Sequence, residues 1–350
     1  MPDAITPAVS PADLTLDYTP EVARATAPLY ARMSSVIPAA EWPFHAPYVY
    51  AINKLKAERN AVILAHNYQT PEIFHGVSDI VGDSLALAAR AADSDADVIV
   101  MAGVHFMAET AKLLNPSKTV LIPDVGAGCS LAESITGADV RALRAKYPGA
   151  PIVAYVNTSA DVKAEVDICC TSGNAVEVVR SLGAEKIVFL PDRYLASYVQ
   201  SEVPEVEIIP WEGACEVHER FTGQQIAAFR DQHARQGARP VVIAHPECPG
   251  DVLGVADFVG STAQMISFVD KQKPEKVLLV TECSMSDNIA AASPGTEFVR
   301  PCNFCPHMKK ITLANILSAL QTLEPRVEIE PELADRARRS VERMLAVKPR

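Results

Sequence analysis

A repeat of about 90 residues constrains the fold of this 350-residue chain more than any other feature of its sequence. Its three copies open with similar apolar runs at 61–67, 151–157 and 240–247. Each copy continues with a short apolar segment that ends in a hydroxyl residue, and then with two further runs rich in β-branched residues. Because the landmarks keep their order and spacing in all three copies, we interpret the chain as one small module present three times.

The β-branched runs alternate with stretches rich in Ala and Leu, which is the pattern of strand–helix units around a parallel sheet. We therefore predict an α/β fold in which three pseudo-threefold-related, three-layer αβα domains, each with a small parallel sheet, surround a central active site. The predicted divisions are an N-terminal arm with a short helix near 21–33, three α/β repeats and a C-terminal helical tail, at residues 1–45, 46–149, 150–238, 239–322 and 323–350.

A cysteine follows the fourth strand of every copy within four or five residues, at Cys129, Cys215 and Cys305. Ligands bind beyond the carboxyl ends of parallel strands, so these three thiols are predicted to meet at one point on the pseudo-threefold axis. Three soft ligands without a fourth favour an iron–sulfur cluster with one open iron, which can act as a Lewis acid. A catalytic zinc with three protein ligands and a water is the competing interpretation.

The hydroxyl landmarks are Ser84, Ser172 and Thr262, and each precedes a helical run. We predict that each one caps its helix beside unpaired backbone N–H groups, where a phosphate or carboxylate binds well.

Polar side chains close the first strand of every copy: His66 and Tyr68, Tyr155 and Asn157, His245 and Glu247. Their equivalent positions put acid–base groups and amide donors around the same axis as the cysteines. The sequence therefore predicts an active site for an anionic substrate.

Charge and hydropathy limit the partners of the protein. Lys and Arg number 32 and Asp and Glu number 43, so the formal net charge of -11 opposes binding to nucleic acid. The sequence has no run of the roughly 18 to 20 apolar residues that a membrane span needs. The first 23 residues carry no Lys or Arg for a signal peptide. We expect a cytoplasmic protein that binds neither nucleic acid nor a membrane.

The chain has eight cysteines, and in a reducing compartment these favour metal binding or catalysis over a disulfide framework. Cys302 forms a Cys-x-x-Cys sequence with Cys305 and is a candidate redox modulator, although the sequence has no second pair of this kind. The other four are predicted to be small buried side chains or pocket wall: Cys169, Cys170, Cys248 and Cys283.

Nine motifs, in order along residues 46–322, carry a resemblance to a known family. The two most specific are Gly103–Lys112 and His245–Cys248. The others are Ala65–Gln69, Gly82–Ser84, Gly128–Ala132, Ala154–Asn157, Cys170–Ser172, Gly260–Thr262 and Cys305–Lys310. On these motifs the chain resembles the quinolinate synthases of bacterial de novo NAD biosynthesis.

The resemblance implies an enzyme with one 4Fe-4S cluster per chain that condenses iminoaspartate with dihydroxyacetone phosphate to quinolinate, with loss of phosphate and two waters. It also implies a functional coupling to L-aspartate oxidase. By motif, the cluster ligands are Cys129, Cys215 and Cys305. Cys170 is set aside as a ligand because it lies beside the second hydroxyl landmark. Some relatives begin a run of three cysteines where this chain has Val299, which puts any thiol switch of theirs in doubt here.

Residue roles also follow from the resemblance. The predicted catalytic residues are Glu247, Tyr155, Tyr68 and His66, and the first three are candidates for moving protons. The predicted substrate-binding residues are His66, Ser84, Tyr155, Asn157, Ser172, His245, Glu247 and Thr262.

Two other functions stay open on the sequence alone. A cluster-dependent hydro-lyase of a hydroxy acid also needs three cysteines and an open iron, and it would act without a triose phosphate. The alternative outside enzymology is an iron–sulfur redox sensor, for which we would expect a nucleic-acid-binding element with a basic face; no such element is apparent in the sequence.

Overall fold

The computed structural model describes residues 16–347, so the first part of the predicted N-terminal arm and the last three residues of the predicted tail lie outside the described range. The described residues form three four-stranded sheets in which all neighbouring strands are parallel. Helices flank each sheet. The predicted α/β class with three small αβα units is therefore confirmed.

The strands repeat one topology three times. The first sheet contains β1 (Ala61–His66), β2 (Ile80–Gly82), β3 (Val98–Ala102) and β4 (Thr119–Leu121). The second contains β5 (Ile152–Tyr155), β6 (Ile168–Cys170), β7 (Lys186–Leu190) and β8 (Glu207–Pro210). The third contains β9 (Val241–Ala244), β10 (Phe258–Val259), β11 (Lys276–Val280) and β12 (Glu297–Val299). In space each sheet has the order second–first–third–fourth, so the predicted landmarks fall at equivalent edges.

The helices are α1 (Pro20–Ala31), α2 (Trp42–Glu58), α3 (Pro71–Phe74), α4 (Ser84–Ala92), α5 (His105–Leu114), α6 (Ser130–Glu133), α7 (Gly137–Lys146), α8 (Ala160–Glu165), α9 (Ala175–Ser181), α10 (Arg193–Glu202), α11 (Gly223–Ala234), α12 (Gly250–Leu253), α13 (Thr262–Gln272), α14 (Cys283–Ala292), α15 (Leu313–Thr322) and α16 (Pro331–Ala346). The short helix predicted near 21–33 is α1. The region is more regular than predicted, because α2 already begins at Trp42. The boundaries drawn between the five divisions stay predictions.

The helices of residues 16–347 include none long and apolar enough to cross a membrane.

An aspartate just before the second strand makes the same contacts in every sheet. The three residues are Asp79, Asp167 and Asp257, and each carboxylate accepts a 2.8 Å hydrogen bond from a backbone N–H of the first strand. Each also pairs with a basic side chain of the helix that precedes its sheet: Lys56, Arg144 and Arg230. These carboxylates bind the first strand to the segment leading into the second, which sets the start of each sheet in the same way.

The last helix of each repeat packs against the next repeat. Helix α7 contacts α8, α11 contacts α12, and α15 returns to contact α2 near the start of the chain. Each of these last helices begins at a threonine N-cap seven residues after the repeat's predicted ligand cysteine: Thr136, Thr222 and Thr312. These contacts close the three repeats into a ring. The segment that carries each cysteine lies at a junction between two repeats, and the three segments face the centre of the ring.

Candidate active site

A central cavity gathers all twelve side chains that the sequence predicted for the site. It is lined by His66, Tyr68, Ser84, Cys129, Tyr155, Asn157, Ser172, Cys215, His245, Glu247, Thr262 and Cys305. Cys170 is fully buried in β6 and is not among the lining residues, whereas Cys215 is. The placement agrees with the repeat-based choice of Cys215, and the role of each residue stays a prediction.

The three cysteines of the cavity have equivalent backbone groups beside them. The N–H groups two and three residues further on favour a negative charge on each sulfur, from Leu131 and Ala132, Val217 and His218, and His307 and Met308, and Met308 N donates to Cys305 Sγ at 3.5 Å. Burial dominates and raises the pKa of all three thiols, that of Cys129 to about 12, while these N–H groups act in the opposite direction. Donors beside three sulfurs suit thiolates that a metal has deprotonated. The donor set therefore fits an iron–sulfur cluster with three protein ligands.

A second set of metal-ligand atoms overlaps the first. Sγ of Cys215, a ring nitrogen of His218 and a carboxylate oxygen of Glu247 lie within 4.8 Å of one another. His218 and Glu247 already bond to each other, with Nδ1 2.8 Å from Oε2. Their proximity is thus accounted for by hydrogen bonding, which leaves the three thiols as the more complete donor set.

His66 and His245 hold the same position in the first and third repeats and make the same local contact. Nδ1 of each ring accepts from the backbone N–H two residues on, at 3.2 Å from Tyr68 and 3.4 Å from Glu247. Burial lowers the pKa of His66 to about 4 and that of His245 to about 3, so both rings are neutral at pH 7. We assign the proton of each ring to Nε2, because a neutral ring that accepts at Nδ1 carries its proton on the other nitrogen. Two N–H donors are therefore left for an anionic ligand.

The prediction that the three cavity hydroxyls cap their helices is wrong. Asp83 caps α4 by accepting from Ala86 N at 2.9 Å, and Ser84 is the first residue of the helix. Ser261 caps α13 in a reciprocal capping box with Gln264, and Thr262 follows it.

In the second repeat the N-cap position of α9 is Asn174, two residues after Ser172. The neighbouring residues thus occupy all three cap positions. The hydroxyls of Ser84, Ser172 and Thr262 stay on the cavity wall, where that of Thr262 accepts from Asn67 Nδ2 at 2.8 Å.

Glu247 is the most strongly held charge in the cavity. The residue is 3% exposed, and its carboxylate accepts from Tyr155 Oη at 2.5 Å and from His218 Nδ1 at 2.8 Å. Burial acts to raise the pKa of Glu247, but the imidazoles of His245 and His218 and the two hydrogen bonds outweigh it and lower the pKa below its usual range. Glu247 is therefore an ionised carboxylate in contact with a phenol and an imidazole.

Asn157 contributes an acceptor without a partner. Its Oδ1 is buried and has no hydrogen-bond partner within residues 16–347. A buried acceptor left unpaired costs about 1–3 kcal/mol, so the site gains when a ligand N–H or O–H reaches it.

Two residues that the sequence analysis did not single out belong to this site. His218 lines the cavity and Thr281 joins it to Tyr68, with Thr281 Oγ1 2.6 Å from Tyr68 Oη and 2.9 Å from His218 Nε2. The equivalent residues elsewhere are Ala132 and Met308 for His218, and Gly103 and Pro191 for Thr281. A comparison of repeats finds only what the repeats share, so it could not identify either residue.

The remaining cysteines divide into two groups. Cys169, Cys170 and Cys248 are fully buried, as predicted for small core side chains. Cys283 is also buried, as predicted, but it forms a disulfide with Cys302, with the Cα atoms 4.9 Å apart, which the sequence analysis did not predict. The two residues lie 19 positions apart, and parallel pairing of Glu282 with Asn303 brings them together. Such pairing is not visible in the spacing of the cysteines.

Comparison with known proteins identifies the family of this chain. The family described as "Quinolinate synthetase A protein" matches residues 50–346. "Quinolinate synthase 2" of Mesorhizobium japonicum is 63% identical over 319 residues, which cover 91% of this chain and 97% of that protein. "Quinolinate synthase" of Caulobacter vibrioides is 55% identical over 346 residues, which cover 98% of this chain and 93% of that protein. "Quinolinate synthase" of Xylella fastidiosa is 63% identical over 299 residues, which cover 85% of this chain and 87% of that protein. The chain therefore belongs to the quinolinate synthase family, enzymes of NAD biosynthesis.

Proposed function

We propose that the cavity condenses iminoaspartate with dihydroxyacetone phosphate to quinolinate, phosphate and water, with a 4Fe-4S cluster held by Cys129, Cys215 and Cys305. The observation that supports this most is the meeting of three equivalent thiols, each with equivalent backbone N–H groups beside it, next to one ionised carboxylate. When bound, the cluster would supply an open iron that acts as a Lewis acid toward substrate oxygen. Side chains of the cavity would bind the substrates and transfer protons.

Binding of two anionic substrates falls to neutral donors. The Nε2–H groups of His66 and His245 and the hydroxyls of Ser84, Ser172 and Thr262 can hold carboxylate and phosphate oxygens. The N-termini of α4 and α13 lie next to two of these hydroxyls and favour negative charge. Asn157 Oδ1 is placed to accept from the nitrogen of an imine or amine.

Proton transfer is proposed for the Tyr155–Glu247 pair. Condensation and dehydration require a base that removes protons from carbon or nitrogen and an acid that protonates a departing hydroxyl. Glu247 begins as the base, and Tyr155, which donates to Oε1 at 2.5 Å, is the neighbouring acid. His66, which comes from the first repeat, orients a substrate oxygen by donating a hydrogen bond to it from Nε2.

Anaerobic purification, iron and sulfide analysis and an assay for quinolinate test the proposal together. We expect about four irons and four sulfides per chain and quinolinate only when both substrates are present. Product formed without triose phosphate would instead favour the hydro-lyase. A cluster without any turnover would favour the redox sensor, and zinc in place of iron would favour the mononuclear site.

Glu247→Gln tests the proton-transfer assignment. The amide keeps the shape of the side chain but cannot take a proton, so we expect the cluster absorbance to persist while turnover falls by about 10²–10⁴-fold. Glu219→Gln, at a half-exposed position on the same turn as His218, is the matched control and should leave turnover unchanged. Normal turnover of Glu247→Gln would remove Glu247 from the mechanism.

We also propose that the protein acts in the cytoplasm and that L-aspartate oxidase supplies iminoaspartate to it. A labile imine lost to hydrolysis would make product formation depend on the presence of the oxidase. A coupled assay in which added oxidase and aspartate give no more quinolinate than preformed imine would contradict this coupling.

A further inference from the structure

A second cavity lies next to the central one, at the seam between the first and third repeats. It has a volume of about 360 Å³ and is lined by residues of α3, β2 and α4 on one side and of α13 and α14 on the other. A volume of this size is within the range of small-molecule sites. Asn67 lines the second cavity and donates to Thr262 on the wall of the central cavity. This contact therefore forms part of the wall between the two cavities.

Apolar and aromatic side chains form much of the wall of the second cavity. Met285 and Ile289 of α14 are buried there, and Ile266 of α13 packs in the same cluster. The rings of Phe74 and His75 meet edge to face, with their centroids 4.8 Å apart. A wall of this kind suits a flat aromatic group.

Asn288, on the wall of the second cavity, supplies a hydrogen-bond acceptor without a partner. Its Nδ2 donates to the backbone carbonyls of Asn67 at 3.1 Å and Gln69 at 2.7 Å, and these two carbonyls fix which end of the amide is the nitrogen. The other end, Oδ1, is buried, and no donor within residues 16–347 reaches it. The residue is only 4% exposed. A buried acceptor without a donor is unfavourable, so Asn288 favours a ligand with an N–H or O–H group.

His75 supplies a second acceptor to the same cavity. Burial, and secondly the charge of Arg32, lower the pKa of His75 to about 4, so the ring is neutral at pH 7. The ring donates toward the backbone carbonyl of Asn288, whereas Nε2 is buried without a partner in the described part of the chain. We therefore place the ring proton on Nδ1, which makes Nε2 an acceptor.

We propose that the second cavity binds a small neutral aromatic amide or amine, whose ring packs on the aromatic wall and whose N–H groups donate to Asn288 Oδ1 and His75 Nε2. A carboxylate or phosphate would instead meet two acceptors and the negative charge of Asp270 at the exposed edge. The central cavity differs in this respect, because its two strand-end histidines present N–H donors to anions. The second site thus takes a different class of ligand and does not depend on the proposed reaction.

Benzamide is the probe, and two methionines report on the two cavities separately. Met285 lines the second cavity and Met107 the central one, and their methyl signals can be assigned through Met285→Leu and Met107→Leu. In the full-length protein, purified anaerobically and labelled with ¹³C-methyl methionine, benzamide should shift the Met285 signal with a Kd of about 1 mM or lower. Benzoate has the same shape but a negative charge, and it should bind there at least about tenfold more weakly. No shift of Met285 at about 10 mM benzamide, or equal affinity for benzoate, would overturn the proposal.

Two variants test the location of the bound amide. Ala292→Trp puts a large side chain at the exposed edge of the second cavity and should raise the Kd for benzamide at least about tenfold. Ala145→Trp, at an exposed position on α7, is the matched control and should leave the Kd unchanged. His75→Phe keeps an aromatic ring but removes Nε2, so we expect about a fivefold rise in Kd. A Kd that is unchanged in both Ala292→Trp and His75→Phe would refute the site. The titration measures binding alone, so its result stands whether or not the protein makes quinolinate.

Discussion

The first two repeats and the third repeat bury their apolar side chains differently. Sheets β1–β4 and β5–β8 share one continuous core, which also takes in buried residues of α15 and α16. The third repeat has two smaller clusters of its own, and α11 contributes Ile226 to one of them. Helix α16 reinforces this division, because it packs on α8, β6 and α5 and so joins only the first two repeats.

At the cavity, the third repeat contacts the others through polar groups. Asn67 donates to Thr262, Ser261 lies 3.3 Å from Asp83 Oδ2, and Tyr155 donates to Glu247. The sheets of the first two repeats share apolar burial directly, whereas the third sheet contacts them at the site through hydrogen bonds, and its repeat shares apolar burial with them through α11 and α15.

A charge in the shared core should have the largest effect. Val341 on α16 is fully buried between the first two repeats, so Val341→Asp should lower the free energy of unfolding by about 3–5 kcal/mol or prevent folding. Arg339→Asp, on the exposed face of the same helix, should change it by only about 0.5 kcal/mol. Urea unfolding followed by circular dichroism gives both values, and equal effects would show that α16 does not join the cores.

Equivalent core residues should separate the two regions. Leu64 and Ile243 hold the same position in β1 and β9, and both are fully buried. Replacement of either by Ala should cost about 2–4 kcal/mol through lost contacts and a cavity. We expect Leu64→Ala to speed amide hydrogen exchange in both of the first two repeats and Ile243→Ala to speed it mainly in 239–299. Exchange that rises throughout the chain in both variants would mean one cooperative unit.

Removal of a single contact between the regions should have a smaller effect. Asn67→Ala deletes the hydrogen bond to Thr262 and should cost about 1 kcal/mol, with faster exchange at the start of α13. Asn53→Ala is the matched control, because its amide bonds to Val49 and Gly76 inside the first repeat. The comparison would lose its basis if Asn53→Ala loosened α13 as much as Asn67→Ala does.

Mild acid should weaken the boundary between the first and third repeats by the smallest increment. Burial, and secondly Arg32, lower the pKa of His75 to about 4, and α3, which His75 follows, packs on α14. The unfolded chain binds this proton near pH 6.5 and the folded chain only near pH 4, so stability is lost as pH falls through that window. His75→Phe should make the unfolding midpoint less sensitive to pH between 6.5 and 4. An unchanged pH dependence would exclude His75 as a contributor.

The sequence analysis predicted the features that all three repeats share and missed the features that occur in one repeat alone. Three copies of one strand pattern identified the sheets, the equivalent cysteines and the strand-end side chains. The sequence analysis placed two helix caps one residue too late, at Ser84 and Thr262 in place of Asp83 and Ser261. All four side chains can accept a capping hydrogen bond, and only the backbone geometry decides which of two neighbouring residues does so. The contact between His218 and Thr281 and the Cys283–Cys302 disulfide join segments that are far apart in sequence. A single sequence contains no pattern that predicts such contacts.

The return of α15 to α2 has a consequence for biosynthesis. Arg59 at the end of α2 bonds to the backbone of Gln321, 262 positions later, so the N-terminal module lacks one of its covering helices until nearly all of the polypeptide has left the ribosome. Contacts of such separation form slowly, and nascent intermediates that expose apolar surface are prone to aggregate. Ring closure must therefore be one of the last events in the maturation of the enzyme, and the three cavity cysteines, which come from different modules, can come together only after it.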